Sequence, residues 1–88
     1  MSPSEFTFKL TVPNDPEGIA VLAVVANHAV EYASLDKPAG AKFVERVKVT
    51  ASNAMKGSSG ANCLVIFAAA KGQLTMTIGG QTVSQPLP

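Results

Sequence analysis

The chain has no tryptophan, a single cysteine and a single histidine among 88 residues, and it carries no acid or histidine after Glu45. One cysteine, Cys63, excludes an intrachain disulfide and every multi-cysteine metal site. With no Asp, Glu or His beyond Glu45, the C-terminal half offers no general base of the usual kinds. No HxxxH, CxxC or Walker-type phosphate loop occurs. Charge is also scarce, at 15 % of residues with a formal net charge of +1. That argues against strong electrostatic attraction to nucleic acid. Lys42, Arg46, Lys48 and Lys56 would form a thin footprint, with no aromatic among them to stack on a base. Long apolar runs are missing too: Ile19 to Ala26 is far shorter than the roughly 20 residues a membrane span requires. The N-terminus has neither the basic region nor the apolar run of a signal peptide. The expectation is a soluble cytoplasmic protein with no membrane contact and no cofactor.

What is present is apolar, at 47 % of the sequence. A chain of this length holds one domain, expected over residues 1–88 with residues 1–4 and 84–88 as loose tails. Phe6, Phe8, Leu10 and Val12 alternate with Glu5, Thr7, Lys9 and Thr11, the period of a strand with one wet face. Pro13 ends that strand. Asp15-Pro16 then reads as an N-cap followed by proline at N1, with Glu17 favoured by the helix dipole. The spacing predicts a helix from about Pro16 to Ser34 and, after Leu35-Asp36-Lys37-Pro38, a second from about Pro38 to Lys56. Gly57-Ser58-Ser59-Gly60 stops that helix in a flexible loop. Cys63 to Ala70 is a continuous apolar run that suits a strand covered on both faces or a central one. Lys71-Gly72-Gln73 is a hairpin turn, and Leu74, Met76 and Ile78 mark the strand after it. Gly79-Gly80 allows a turn before a short extra strand at Gln81-Thr82-Val83.

Three features bear on function. The first helix is apolar over a wide arc: Ile19, Leu22, Ala26, Ala29 and Ala33 form one stripe, and Val21, Val24, Val25 and Tyr32 lie beyond it. A single buried face cannot absorb that arc, so a second contact is expected, against the other helix or a partner chain. Small domains often complete their cores by oligomerising. Charge, secondly, is split, with formal values of −4 over residues 1–36 and +5 over residues 37–88. The two helices can attract one another, or Lys42, Arg46 and Lys48 can present a basic face to an acidic partner. Thirdly, His28 and Cys63 both sit among apolar residues. His28 reads as a core or interface residue and Cys63 as a small core hydrophobe.

The order strand, helix, helix, strand, strand resembles the N-terminal part of the gyrase, histidine-kinase and MutL ATPase superfamily, nearest the anti-sigma-factor serine kinases. FKLTVPNDPEGIAVLAVV resembles the opening strand, turn and helix. VKVTASNAM resembles the asparagine box, in which an acid and, four residues later, an asparagine face Mg²⁺ and phosphate. LVIFAAAKGQLTMTIGG resembles the hairpin leading to the adenine-reading aspartate. Asn53 matches the box asparagine. Val49 stands where the acid belongs, with Glu45 one further turn back, and Gly79-Gly80 stands where the aspartate belongs. The ATP lid and its glycine box have no counterpart here.

The resemblance therefore implies the frame of that fold without its nucleotide site. The expected architecture is an α+β two-layer sandwich, an antiparallel sheet of three to four strands with two helices on one face. The expected role is a non-catalytic protein-interaction domain, a homodimer or an adaptor in a regulatory switch. In the anti-sigma relatives the first strand and helix help form the dimer, which makes Phe6, Phe8, Val21, Val24 and Val25 candidates by analogy. Lys42 and Arg46 are candidates through the basic face. The alternatives are a residual ATP-binding serine kinase using Asn53, and an unrelated α+β nucleic-acid or ligand-binding module.

Overall fold

β1 spans Phe6–Pro13 and hands the chain to α1, Pro16–Tyr32, through a two-residue corner. The computed structural model describes residues 5–57 and 60–87. The corner is set by Asp15, whose carboxylate accepts from the Gly18 amide at 3.1 Å, with Pro16 opening the helix. Gly18 is required where α1 meets β1, because a Cβ there would overlap the Pro13 carbonyl oxygen. α2, Lys37–Lys56, is capped the same way: the Asp36 carboxylate accepts from the Ala39 amide at 2.9 Å.

β2 (Asn62–Ala70), β3 (Gln73–Ile78) and β4 (Gln81–Pro86) complete a four-stranded antiparallel meander in the order β1-β2-β3-β4. Both hairpins turn on two residues at positive φ, Lys71-Gly72 (55° and 76°) and Gly79-Gly80 (56° and 81°). Such turns match the right-handed twist of the strands that they join. The expected α+β fold is the one observed, with both helices on one face and the larger strand count realised.

The core lies between that face and the helices. Val12, Val65, Phe67, Leu74, Met76, Ile78 and Val83 rise from the sheet to meet Leu22, Ala26, Phe43, Val47 and Ala51. Among the described residues no polar or charged side chain is buried. α1 and α2 approach closely at Gly40, where a Cβ would overlap Val30 Cγ1. The opposite face of the sheet carries Thr7, Lys9, Thr11, Leu64, Thr75 and Thr82, and no described element covers it.

Several local expectations change. Residues 84–86, expected in a tail, continue β4 to Pro86, and Leu87 packs partly on the core while its amide donates to the Gly72 carbonyl at 2.8 Å. The polar stretch Ser84-Gln85-Pro86 is held by pairing with β3 rather than by burial. β2 is central as expected, but its second face is open and Leu64 remains 56 % exposed. α1 ends at Tyr32, two residues early, because Ser34 takes up positive φ (62°). The expected loose residues 1–4, together with Ser58, Ser59 and Pro88, lie outside the described residues.

Candidate functional site at the edge of strand 1

β1 is an edge strand, paired with β2 on one side only. The register fixes which of its backbone groups are free. A two-residue hairpin makes its flanking residues, Ala70 and Gln73, a hydrogen-bonded pair. Alternation then turns the backbone of Ile66 and Ala68 toward β3 and that of Val65 and Phe67 toward β1. The Asn14 amide donating to the Ala61 carbonyl at 3.0 Å continues the same parity. Phe6, Phe8, Leu10 and Val12 therefore bond to β2. The amides and carbonyls of Thr7, Lys9 and Thr11 point outward, to the unpaired edge.

The β4 edge, by contrast, is partly blocked. By the same parity Thr82, Ser84 and Pro86 point outward. Pro86 has no amide to offer, and Arg46 Nη1 donates to the Ser84 carbonyl at 2.8 Å. Proline and covering side chains are common ways of blunting a sheet edge. Among the described residues, the β1 edge is the one that no side chain or proline blocks.

Beside that edge runs an apolar groove of about 320 Å³, lined by Phe6, Phe8, Val25, His28, Ala29 and Tyr32. Its floor is aromatic. Phe8 stacks on Phe67 with centroids 5.4 Å apart, Phe6 stacks on Phe8 at 5.6 Å, and the Tyr32 ring meets Phe6 edge-on at 5.2 Å. Helical spacing places Val21, Val25, His28 and Tyr32 on one line of α1, with Val24 alongside. Much of this apolar area faces solvent: Phe8 is 38 %, Val21 43 %, Val24 57 % and Tyr32 61 % exposed. Four of the described chain's six exposed large hydrophobic residues thus belong to the β1–α1 side, Val49 and Leu64 being the others.

The structure brings Phe6, Phe8 and Val25 together in this groove, while Val21 and Val24 lie on the exposed surface of α1 outside it. Val25 and Phe6 are partly buried and the rest exposed. His28 is exposed rather than in the core, and it lines the groove. Tyr32 and Phe67 complete the cluster. Phe67 could not be assigned to it from sequence, because its place depends on which strand lies beside β1.

Lys42 and Arg46 lie elsewhere, on the exposed side of α2 toward β4. Arg46 is engaged with Ser84, and Lys48 pairs with Glu45 at 3.3 Å, so among the described residues Lys42 is the member of the basic face without such a partner. Asn53 and Val49 share that exposed side. The shallow groove next to them, about 240 Å³, is lined by Glu45, Arg46, Val49, Thr50, Thr82 and Val83. Its single carboxylate, Glu45, is the one bound to Lys48. Among the described residues no three His, Cys, Asp or Glu side chains gather closely enough to hold one metal ion, and no helix is long and apolar enough to cross a membrane.

No family model, curated protein or solved structure matches the chain.

Proposed function

We propose that this chain is a non-catalytic protein-interaction domain whose working surface is the open side of β1 and α1, and that it self-associates there. One observation carries this: Phe8 and Tyr32 are exposed in an apolar groove beside an edge strand, and Val21 and Val24 add exposed apolar surface on the same helix. Apolar side chains clustered at one place, rather than scattered, mark an association surface. An open edge adds backbone donors and acceptors that a neighbouring strand can satisfy. The groove between them is lined by aliphatic and aromatic carbon, with His28 as its only ionisable wall apart from the Tyr32 hydroxyl.

The resemblance to the anti-sigma serine kinases gives this surface a regulatory context. On that reading the chain keeps the strand, helix, helix, strand, strand frame and lacks the groups that hold Mg-ATP. Val49 replaces an acid, and a hard cation depends on such oxygen ligands. The buried free thiol of Cys63 suits a reducing compartment, so the proposed setting is the cytoplasm.

Sedimentation equilibrium to several hundred micromolar tests the proposal. The expected result is a species heavier than the 9.0 kDa monomer, returned toward the monomer by Val24→Glu. A wild type that stays at monomer mass throughout would overturn it.

A further inference from the structure

We infer that two copies join β1 to β1 antiparallel, in one register centred on Thr7, to make a continuous eight-stranded sheet. This rests on the self-association proposed above and specifies its geometry. The edge offers the outward backbone groups of Thr7, Lys9 and Thr11, and Glu5 holds the next position of the same parity. A two-fold axis can sit at several places along these residues, and their side chains separate the choices. Centred on Lys9, the axis sets Lys9 against its own copy, and like charges directly opposite are destabilising. With Phe8 at the centre, Lys9 faces Thr7 and Glu5 faces Thr11, so neither charge meets a partner. The axis at Thr7 sets Glu5 opposite Lys9 of the second copy, twice by symmetry.

The two charges are available for this. Lys48–Glu45 is the ion pair within the described chain, and Glu5 and Lys9 are both exposed. A lysine in the middle of an edge strand ordinarily discourages pairing. In the Thr7 register the same lysine becomes selective, because it accepts only a neighbour that presents an acid four residues before its own lysine. The other face agrees. Phe6 falls opposite Phe8 of the second copy, so the Phe6–Phe8–Phe67 stack of each protomer continues into the other. Aromatic pairs across non-hydrogen-bonded positions are among the stronger cross-strand contacts. The two grooves then face one another over the axis, each bringing Val25, His28 and Tyr32.

Charge exchange between two variants tests the register. Glu5→Lys gives a copy with lysine at both positions, and Lys9→Glu a copy with glutamate at both. Each alone should weaken association about tenfold or more, because symmetry repeats every like-charge contact. An equimolar mixture should recover wild-type association as a heterodimer, in which each lysine faces a glutamate. A short bifunctional thiol reagent should also convert Thr7→Cys into a covalent dimer, since directly opposed residues of a hydrogen-bonded pair lie ~5.5 Å apart at Cα. Thr11→Cys should not crosslink, its two copies being about 27 Å apart along the strands at ~3.4 Å per residue. If wild type associates and Val24→Glu disrupts it, yet the mixture gains nothing and Thr7→Cys stays monomeric, the register is wrong and the surface stands. A wild type that is monomeric removes both.

Discussion

Arg46 reaches from α2 to the free edge of β4, where its guanidinium donates to the Ser84 carbonyl at 2.8 Å. The sheet is thereby made asymmetric. One edge is partly blocked by Arg46 and Pro86, and among the described residues the other, β1, keeps its outward backbone groups.

The first expected outcome concerns the Arg46 contact. Arg46→Ala should lower stability by about 1 kcal/mol, the net worth of an ordinary hydrogen bond, because solvent at this exposed site screens the extra contribution of the charge. Arg46→Lys should lose less, because an ammonium can still reach the carbonyl but without the fork of the guanidinium. Urea denaturation read by circular dichroism measures both. Self-association should be unchanged in either variant, since β4 lies at the far edge from β1.

Much of the frame was legible because its signals are local. The period of two in Phe6 to Val12, the cap signals Asp15-Pro16 and Asp36-Lys37-Pro38, and the glycine turns each need only their neighbours in sequence. β4 was half-read for the opposite reason. Ser84-Gln85-Pro86 has no apolar pattern, and only the bond from Arg46, 38 residues away, and pairing with β3 hold it as strand. The candidate surface divides the same way. The surplus of valine on α1 shows in the sequence, whereas its position beside an open edge depends on strand order, which no local pattern encodes. His28 illustrates the limit: its apolar neighbours in sequence suit core or interface alike, and its place in the groove depends on β1 lying beside α1.

The helix pair supplies a second outcome. Gly40 faces Val30, and an added Cβ would overlap Val30 Cγ1. Gly40→Ala should therefore destabilise by about 1–3 kcal/mol through overpacking. At an exposed helix position the same change would help, by ~1 kcal/mol. Adding Val30→Ala should recover part of the loss, because the obstructing atom is a side chain. No such rescue exists for Gly18→Ala, which meets the backbone carbonyl of Pro13. Denaturation midpoints of the three variants and the double mutant separate these cases.

A third outcome concerns nucleotide. The groove beside Val49 and Asn53 has one carboxylate, Glu45, already bound to Lys48 at 3.3 Å. Mg-ATP at millimolar concentration should leave the melting temperature unchanged. A ligand that binds only the folded state at a hundred times its Kd adds about 2.7 kcal/mol, which a small domain reports as a shift of many degrees. A clear upward shift, abolished by Asn53→Ala, would restore the nucleotide-binding alternative.

The last outcome concerns the helix half of the proposed surface. Val24 is 57 % exposed and contributes little to the folded monomer, whereas Tyr32, 61 % exposed, keeps one edge contact to Phe6 there. Val24→Glu should leave the far-ultraviolet circular dichroism of the monomer intact, because the side chain has solvent to enter. In the dimer the same carboxylate would be buried without a partner, which is strongly unfavourable. Association should weaken by at least tenfold, equivalent to about 1.4 kcal/mol. Tyr32→Ala should act in the same direction through lost aromatic area and the broken edge contact to Phe6 at 5.2 Å. Val49→Glu is the matching control, since Val49 is 58 % exposed on α2, away from the β1 edge. Equal weakening by all three would mean that association follows general hydrophobicity and not this surface. Selective weakening by Val24→Glu and Tyr32→Ala, measured by sedimentation, would assign the contact to β1 and α1.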